Sequence, residues 1–224
     1  MLPEGVVLDL DGTLVDNIRF HAAAFDHFMR RHGRQPVDEA GCIRLMGRRN
    51  SDIFTDLLGR PIAGDELKRF EEEKETLYRE LSAGQLAPIA GLLELLADLD
   101  NESIPVVIAT SAPECNVAHT LAEIGLEDRL TNVIRGDEVP RGKPHPDIFQ
   151  EAARRVGVDP KRCLAFEDAP VGITAAVAAG MRCVALATTF TRQQLESGDP
   201  APDLIVADFQ DFLAAPGWAT KGSL

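Results

Sequence analysis

Val6-Val7-Leu8-Asp9-Leu10-Asp11-Gly12-Thr13-Leu14-Val15-Asp16 is the stretch on which the fold turns. Val6 to Leu8 is a short, continuous apolar run, the pattern of a strand buried on both faces of a parallel sheet. Two aspartates follow with one residue between them, and Gly12 then lets the backbone turn sharply. Carboxylates spaced in this way at the open end of a buried strand can both aim at one bound atom. A polar strand-end loop is the plain alternative. A calcium loop also begins Asp-x-Asp, but its third oxygen ligand and distant glutamate are missing, and an apolar strand precedes.

Apolar runs of the same kind recur at residues 104–109, 133–134, 163–166, 184–187 and 204–206. Helical stripes separate most of them: Leu92, Leu93, Leu95, Leu96 and Leu99; Val117, Leu121 and Ile124; residues 148–156; and residues 171–179. Strand alternating with helix predicts an α/β fold, a doubly wound parallel sheet of Rossmann type with helices on both faces. Ligands of such sheets bind beyond the carboxyl ends of the strands.

Residues 18–86 break this rhythm, with helical periodicity and no strand-like run. Ile18, Ala22, Phe25, Phe28 and Met29 share one face, and Gly33 is placed to end that helix. Ser51 is placed to cap a second, carrying Ile53, Phe54, Leu57 and Leu58 and stopped by Gly59. A third spans about residues 65–81. The predicted organisation is a core of residues 1–16 and 88–224 with a helical cap, 17–87, inserted after the first strand. Residues 15–17 and 87–91 would be its hinges.

Three further strand ends carry chemistry. Thr110-Ser111 offers hydroxyls and free N–H groups, either a phosphate cradle or a helix N-cap. Lys143, in Arg141-Gly142-Lys143-Pro144-His145-Pro146, is either a solvated charge or a lysine whose path is fixed by its glycine and prolines. Glu167-Asp168 would join Asp9 and Asp11 as four carboxylates at one sheet edge. Such a cluster repels itself unless it holds protons or a cation, and oxygen-only donors favour a hard ion, Mg²⁺ above all.

In this order and at these positions, the motifs resemble those of the haloacid dehalogenase superfamily of phosphotransfer hydrolases, from Val6 to about Phe212. Asp9 and Asp11 match its DxDGT motif, Thr110 its hydroxyl motif, Lys143 its GKP lysine, and Glu167-Asp168 its acidic motif. The insertion falls where the helical-cap branch, subfamily IA, places its cap. That branch holds sugar-phosphate phosphatases and β-phosphoglucomutases, and Asp16-Asn17-Ile18-Arg19-Phe20-His21 is similar to theirs. The resemblance implies that Asp9 is the nucleophile, forming an aspartyl-phosphate, and that Asp11 is the general acid and base. It implies Mg²⁺ held by Asp9, the Asp11 carbonyl and Asp168, with Glu167 direct or through water. Thr110 and Ser111 would complete the phosphoryl cradle, and Lys143 would offset charge. Carbon–halogen cleavage, the rival chemistry, releases halide and needs neither proton donor nor Mg²⁺, leaving Asp11 and the Glu167-Asp168 pair without a role.

In the cap, Lys74 lies on the stripe of Leu67, Phe70, Leu77, Tyr78 and Leu81, with Glu71, Glu72, Glu73 and Glu75 elsewhere on the helix. Lys74 either snorkels to water or points at substrate; family members have a similar KxxxY pair. His21 faces inward, as a structural or a substrate-contacting residue. β-Phosphoglucomutases carry a basic residue three positions after a cap glycine, whereas Gly47 is followed here by Arg48, Arg49 and Asn50. Arginine clamps phosphate with paired hydrogen bonds and asparagine cannot. Hydrolysis is therefore the first reading and mutase the second, with Arg48 or Arg49 its remaining clamp.

The chain has 224 residues, 45% hydrophobic and 26% charged, an ordinary globular composition. With 23 basic and 36 acidic residues the net charge is −13, which repels nucleic acid and anionic lipid. No apolar run reaches membrane-span length, and the first residues lack a signal peptide's basic start. The cysteines, Cys42, Cys115, Cys163 and Cys183, show no CxxC spacing. A cytoplasmic monomer acting on a small-molecule phosphate ester is expected.

Overall fold

The computed structural model describes residues 2–216. Six strands, β1 (Gly5–Leu8), β2 (Val106–Thr110), β3 (Val133–Arg135), β4 (Cys163–Glu167), β5 (Arg182–Leu186) and β6 (Leu204–Val206), form one sheet in the order β3-β2-β1-β4-β5-β6. Every pair is parallel, as the apolar runs predict. Alternation along each strand sends side chains to opposite faces. Val6, Leu8, Ile108, Leu164 and Phe166 meet helices α5 (Leu92–Asn101), α6 (Glu114–Glu123) and α10 (Phe209–Ala214) on one side. Val7, Val107, Ala109, Cys163, Ala165 and Cys183 meet α7 (Asp147–Val156) and α8 (Pro170–Ala178) on the other. Cys163 and Cys183 are thus small core residues, and all four cysteines are free.

The strand order reverses between β1 and β4, which lie side by side. Two carboxylate-bearing strand ends therefore open at the same place, the switch point where α/β sheets bind ligands.

Between β1 and α5 come four helices: α1 (Ile18–Arg31), α2 (Glu39–Ile43), α3 (Asn50–Leu58) and α4 (Gly64–Ser82). They bury an apolar cluster of their own. Phe28, Phe54 and Phe70 meet at its centre with ring centroids 5.0 to 5.7 Å apart. The two segments joining these helices to the sheet run side by side. Val15 bridges Pro88, and the Ile89 N–H donates to the Leu14 carbonyl at 2.9 Å. Gly59, left-handed at φ 69°, ends α3 as read. Ser51 is not its cap: the helix starts at Asn50, two residues earlier than such a cap would set it, Arg49 is the N-cap, and Ser51 sits in the first turn. The five-residue helices α2 and α9 (Arg192–Glu196) are too short to show a periodic stripe.

Candidate active site

Asp9 follows β1, and its N–H donates to the Phe166 carbonyl of β4 at 3.0 Å. The neighbouring strand end thereby fixes its backbone. Lys143 arrives from the loop before α7 and is buried. Its ammonium donates to Asp9 Oδ1 at 2.5 Å, Glu167 Oε1 at 2.6 Å and the Ala109 carbonyl at 3.1 Å. The reading of Lys143 as a solvated charge is set aside by these contacts.

Glu167 is engaged on both oxygens, because Oε2 accepts the N–H groups of Asp168 and Ala169 at 3.0 Å each. The close approach depends on Gly172 in α8, where a Cβ would overlap the Glu167 carboxylate. Gly12 is equally constrained. Its φ is +81°, and a Cβ would overlap Asp168 Oδ2.

Asp9, Glu167 and Asp168, all buried, can offer oxygens within 4.8 Å of one another. Burial pushes the Asp9 carboxyl up to about 8, with the Lys143 ammonium pulling against it and Glu167 adding to the rise. Burial also raises Asp168 well above the carboxylate range, aided by Glu167 and Asp9. Burial alone would lower Lys143, but the Asp9 and Glu167 carboxylates outweigh it and raise that group. Three acids around one ammonium leave a surplus of buried negative charge. A hard divalent cation with oxygen ligands fits that surplus, and Mg²⁺ fits the donor set.

This charge balance predicts a pH effect. Between about pH 5 and pH 8 the unfolded chain has released the Asp9 proton while the metal-free folded chain retains it. The folded state then binds more protons, so its stability falls as pH rises. His119, lowered by burial, works in the opposite direction but is partly exposed. Mg²⁺ should therefore raise Tm more at pH 8 than at pH 5. Equal shifts at both pH values would contradict this account.

Asp11 stands beside the cluster and turns toward α1. Asn17 Nδ2 donates to its Oδ1 at 2.7 Å, and His21 Nε2 lies 3.6 Å from the same oxygen. Burial would raise Asp11, but His21, Asn17 and Lys74 outweigh it and hold the group below its usual range. His21 stacks on Tyr78 at 4.0 Å between centroids, and Lys74 Nζ lies 2.8 Å from its Nδ1. An ammonium only donates, so Nδ1 accepts and the ring proton sits on Nε2, toward Asp11.

Asp9, Asp11, His21, Arg48, Lys74, Thr110 and Ser111 line one cavity between the strand ends and the helices. Its volume of about 40 Å³ suits a few waters and not a sugar phosphate. Ser111 Oγ crosses it to donate to the Gly47 carbonyl at 2.9 Å. Thr110 is not a helix cap: Pro113 is the N-cap of α6, and Thr110 Oγ1 accepts the Ala112 N–H.

Arg49 does not line the cavity. Its guanidinium turns to the Val139 and Pro140 carbonyls, at 2.8 and 3.4 Å, and leans on Gly142. Arg48 lines the cavity but pairs with Asp56 at 2.7 Å.

Sequence reasoning did not place three polar residues in the wall, Asn50, Glu75 and Asn116. Glu75 lies off the apolar stripe of α4. It is buried because α4 packs against α1, α3 and α6, which widens its covered face beyond one stripe. The acidic neighbour of the inward Lys74 was the available signal.

The model of the haloacid dehalogenase-like hydrolases matches residues 6–186, including every strand-end motif up to β5. The chain belongs to this family. Among family members, it is 31% identical over 193 residues to validoxylamine A 7'-phosphate phosphatase of Streptomyces hygroscopicus subsp. limoneus, covering 86% of this chain and 90% of that protein. It is 30% identical over 190 residues to the β-phosphoglucomutase of Bacillus subtilis, covering 81% and 82%. A solved haloacid dehalogenase hydrolase of family IA, variant 3, from Entamoeba histolytica superposes with a TM-score of 0.83. That structure is 30% identical and covers 92% of this chain and 94% of its own. The dehalogenase-like fold expected from the strand-end motifs is thus the one observed.

Proposed function

We propose that the chain is a Mg²⁺-dependent phosphomonoester hydrolase acting on a small sugar or polyol phosphate through an aspartyl-phosphate at Asp9. The observation that carries this reading is the buried Asp9–Lys143–Glu167 bridge with Asp168 beside it, opening onto a cavity that Asp11 also lines. Phosphatases among the relatives support it. Mg²⁺, when bound, would offset the charge of nucleophile and phosphate together. Asp9 and Asp168, with the Asp11 carbonyl, suit direct ligation. Glu167, both of whose oxygens are occupied, suits contact through water.

In the first step a carboxylate oxygen of Asp9 bonds to phosphorus and the ester P–O bond breaks, with Asp11 giving its proton to the departing alcohol oxygen. Asn17 and His21 hold Asp11 ionised in the closed state, so Asp11 must leave both and take up a proton from solvent as substrate enters, before it faces that oxygen. In the second step water attacks phosphorus, Asp11 takes the water proton, and the Asp9–phosphorus linkage breaks. Lys143 holds Asp9 in place and favours its ionised form, with Mg²⁺, when bound, supplying the remaining positive charge. Thr110 and Ser111 line the cavity where the phosphoryl oxygens would lie.

The division into a core of residues 1–16 and 88–224 and a cap of 17–87 belongs to this proposal. A cavity of about 40 Å³ requires the cap to swing on its paired connections to admit substrate. All of these residues come from one chain, which suits a monomer. No helix among the described residues is long and apolar enough to cross a membrane. A cytoplasmic setting and a partner no larger than a phosphate ester complete the reading, with no nucleic acid.

The test is phosphate release from a panel of sugar, polyol and nucleotide phosphates. Activity is expected on sugar or polyol esters with Mg²⁺ and lost after exhaustive chelation. Full activity without metal would contradict the metal assignment.

Mutase chemistry needs a second phosphate clamp facing the first, and the cap's two candidate arginines are engaged elsewhere. β-Glucose 1-phosphate primed with the 1,6-bisphosphate should therefore give mainly free phosphate. Catalytic accumulation of glucose 6-phosphate with little phosphate release would reverse the assignment.

A further inference from the structure

Glu75 takes no part in phosphoryl transfer as described, yet it lies on the cavity wall and is 3% exposed. Lys74 Nζ donates to its two oxygens at 3.1 and 3.0 Å. Asn50 Nδ2 donates to Oε1 at 2.8 Å and Asn116 Nδ2 to Oε2 at 2.7 Å. Burial would raise this carboxyl, but Lys74, His21 and the two carboxamides outweigh it and hold it below its usual range. Glu75 is thus a carboxylate at neutral pH, oriented from α3, α4 and α6 at once.

Its consequence lies in what the wall offers a substrate. Lys74 is matched by Glu75, just as Arg48 at the same cavity is matched by Asp56. An anionic group arriving here must pull Lys74 away from Glu75 or lie against the carboxylate, and both are unfavourable in a dry site. A neutral hydroxyl can replace one of the two Lys74–Glu75 hydrogen bonds, accepting from Lys74 and donating to Glu75, so that the pair stays bridged and no charge is left unpaired. We propose that Glu75 sets substrate choice: it admits phosphate monoesters whose alcohol portion ends in uncharged hydroxyls and rejects those bearing a second phosphate or a carboxylate. This selectivity rests on the reading of the Asp9 site as a phosphomonoesterase.

The test uses the full chain carrying Asp9→Asn, so that ligands bind without turnover. Sorbitol 6-phosphate and 6-phosphogluconate differ only in a terminal hydroxymethyl against a carboxylate. Calorimetry with Mg²⁺ should show the polyol phosphate binding at least about tenfold more tightly. Adding Glu75→Gln should shrink that ratio at least about fivefold, chiefly by tighter 6-phosphogluconate binding. Equal affinities in the Asp9→Asn protein, no binding of either probe, or a ratio unmoved by Glu75→Gln would overturn the inference. The first two outcomes need no change at Glu75, so they stand even if Glu75→Gln does not fold. Phosphate release from both probes by the unsubstituted enzyme is measured alongside. No release with the binding preference intact would overturn the hydrolase reading and leave the selectivity standing.

Discussion

Asp9→Asn is expected to lower kcat by at least about 10⁴-fold while leaving the fold unchanged. The amide has the shape of the carboxylate but lacks its nucleophilicity. It can still accept from Lys143 through its oxygen and keep its backbone bond to the Phe166 carbonyl. The substitution also replaces a carboxyl whose ionisation burial disfavours with a neutral amide, which argues against a loss of stability. Circular dichroism, Tm and phosphate release together check the prediction. Near-normal release by this variant would contradict nucleophilic catalysis at Asp9.

Lys143→Met is expected to damage both activity and folding. Lys143 is the buried ammonium that touches both Asp9 and Glu167, and methionine fills much of its volume without charge or donors. Removing one partner of a fully buried ionic group costs about 3–5 kcal/mol, so the metal-free variant should melt well below the parent at pH 8. The uncompensated carboxylates would respond more strongly to a divalent cation. Added Mg²⁺ should thus raise Tm further in the variant than in the parent, while kcat stays at least about 10²-fold down. A Tm shift with Mg²⁺ no greater than the parent's would show that Lys143 is not the counter-charge of this cluster.

The core was legible in the sequence because its signals are local. Buried parallel strands read as apolar runs, and each strand end carries its chemistry within a residue or two of the last buried position. Asp9, Thr110 and Glu167-Asp168 could therefore be placed from spacing alone. Lys143 needed its flanking Gly142 and Pro144, and its destination 134 residues away on Asp9 could not be read from them. The helical unit was legible as helices and less so as a surface. Glu75 follows Lys74 on α4, about 100° further round, and which of the two is buried depends on how many neighbours the helix has. Three do pack against it, so both are buried. Arg49 shows the same limit: its direction is set by two loop carbonyls about 90 residues away, which no local pattern reveals.

Covalent catalysis by Asp9 would leave a phosphorylated enzyme during turnover, and trapping that species tests it. The enzyme is mixed with a ³²P-labelled sugar phosphate and Mg²⁺, quenched in acid during turnover and digested with trypsin. Hydroxylamine-labile label is expected on the peptide ending at Arg19, and none in the Asp9→Asn protein. Label-free enzyme during rapid phosphate release, or label on any other peptide, would contradict it.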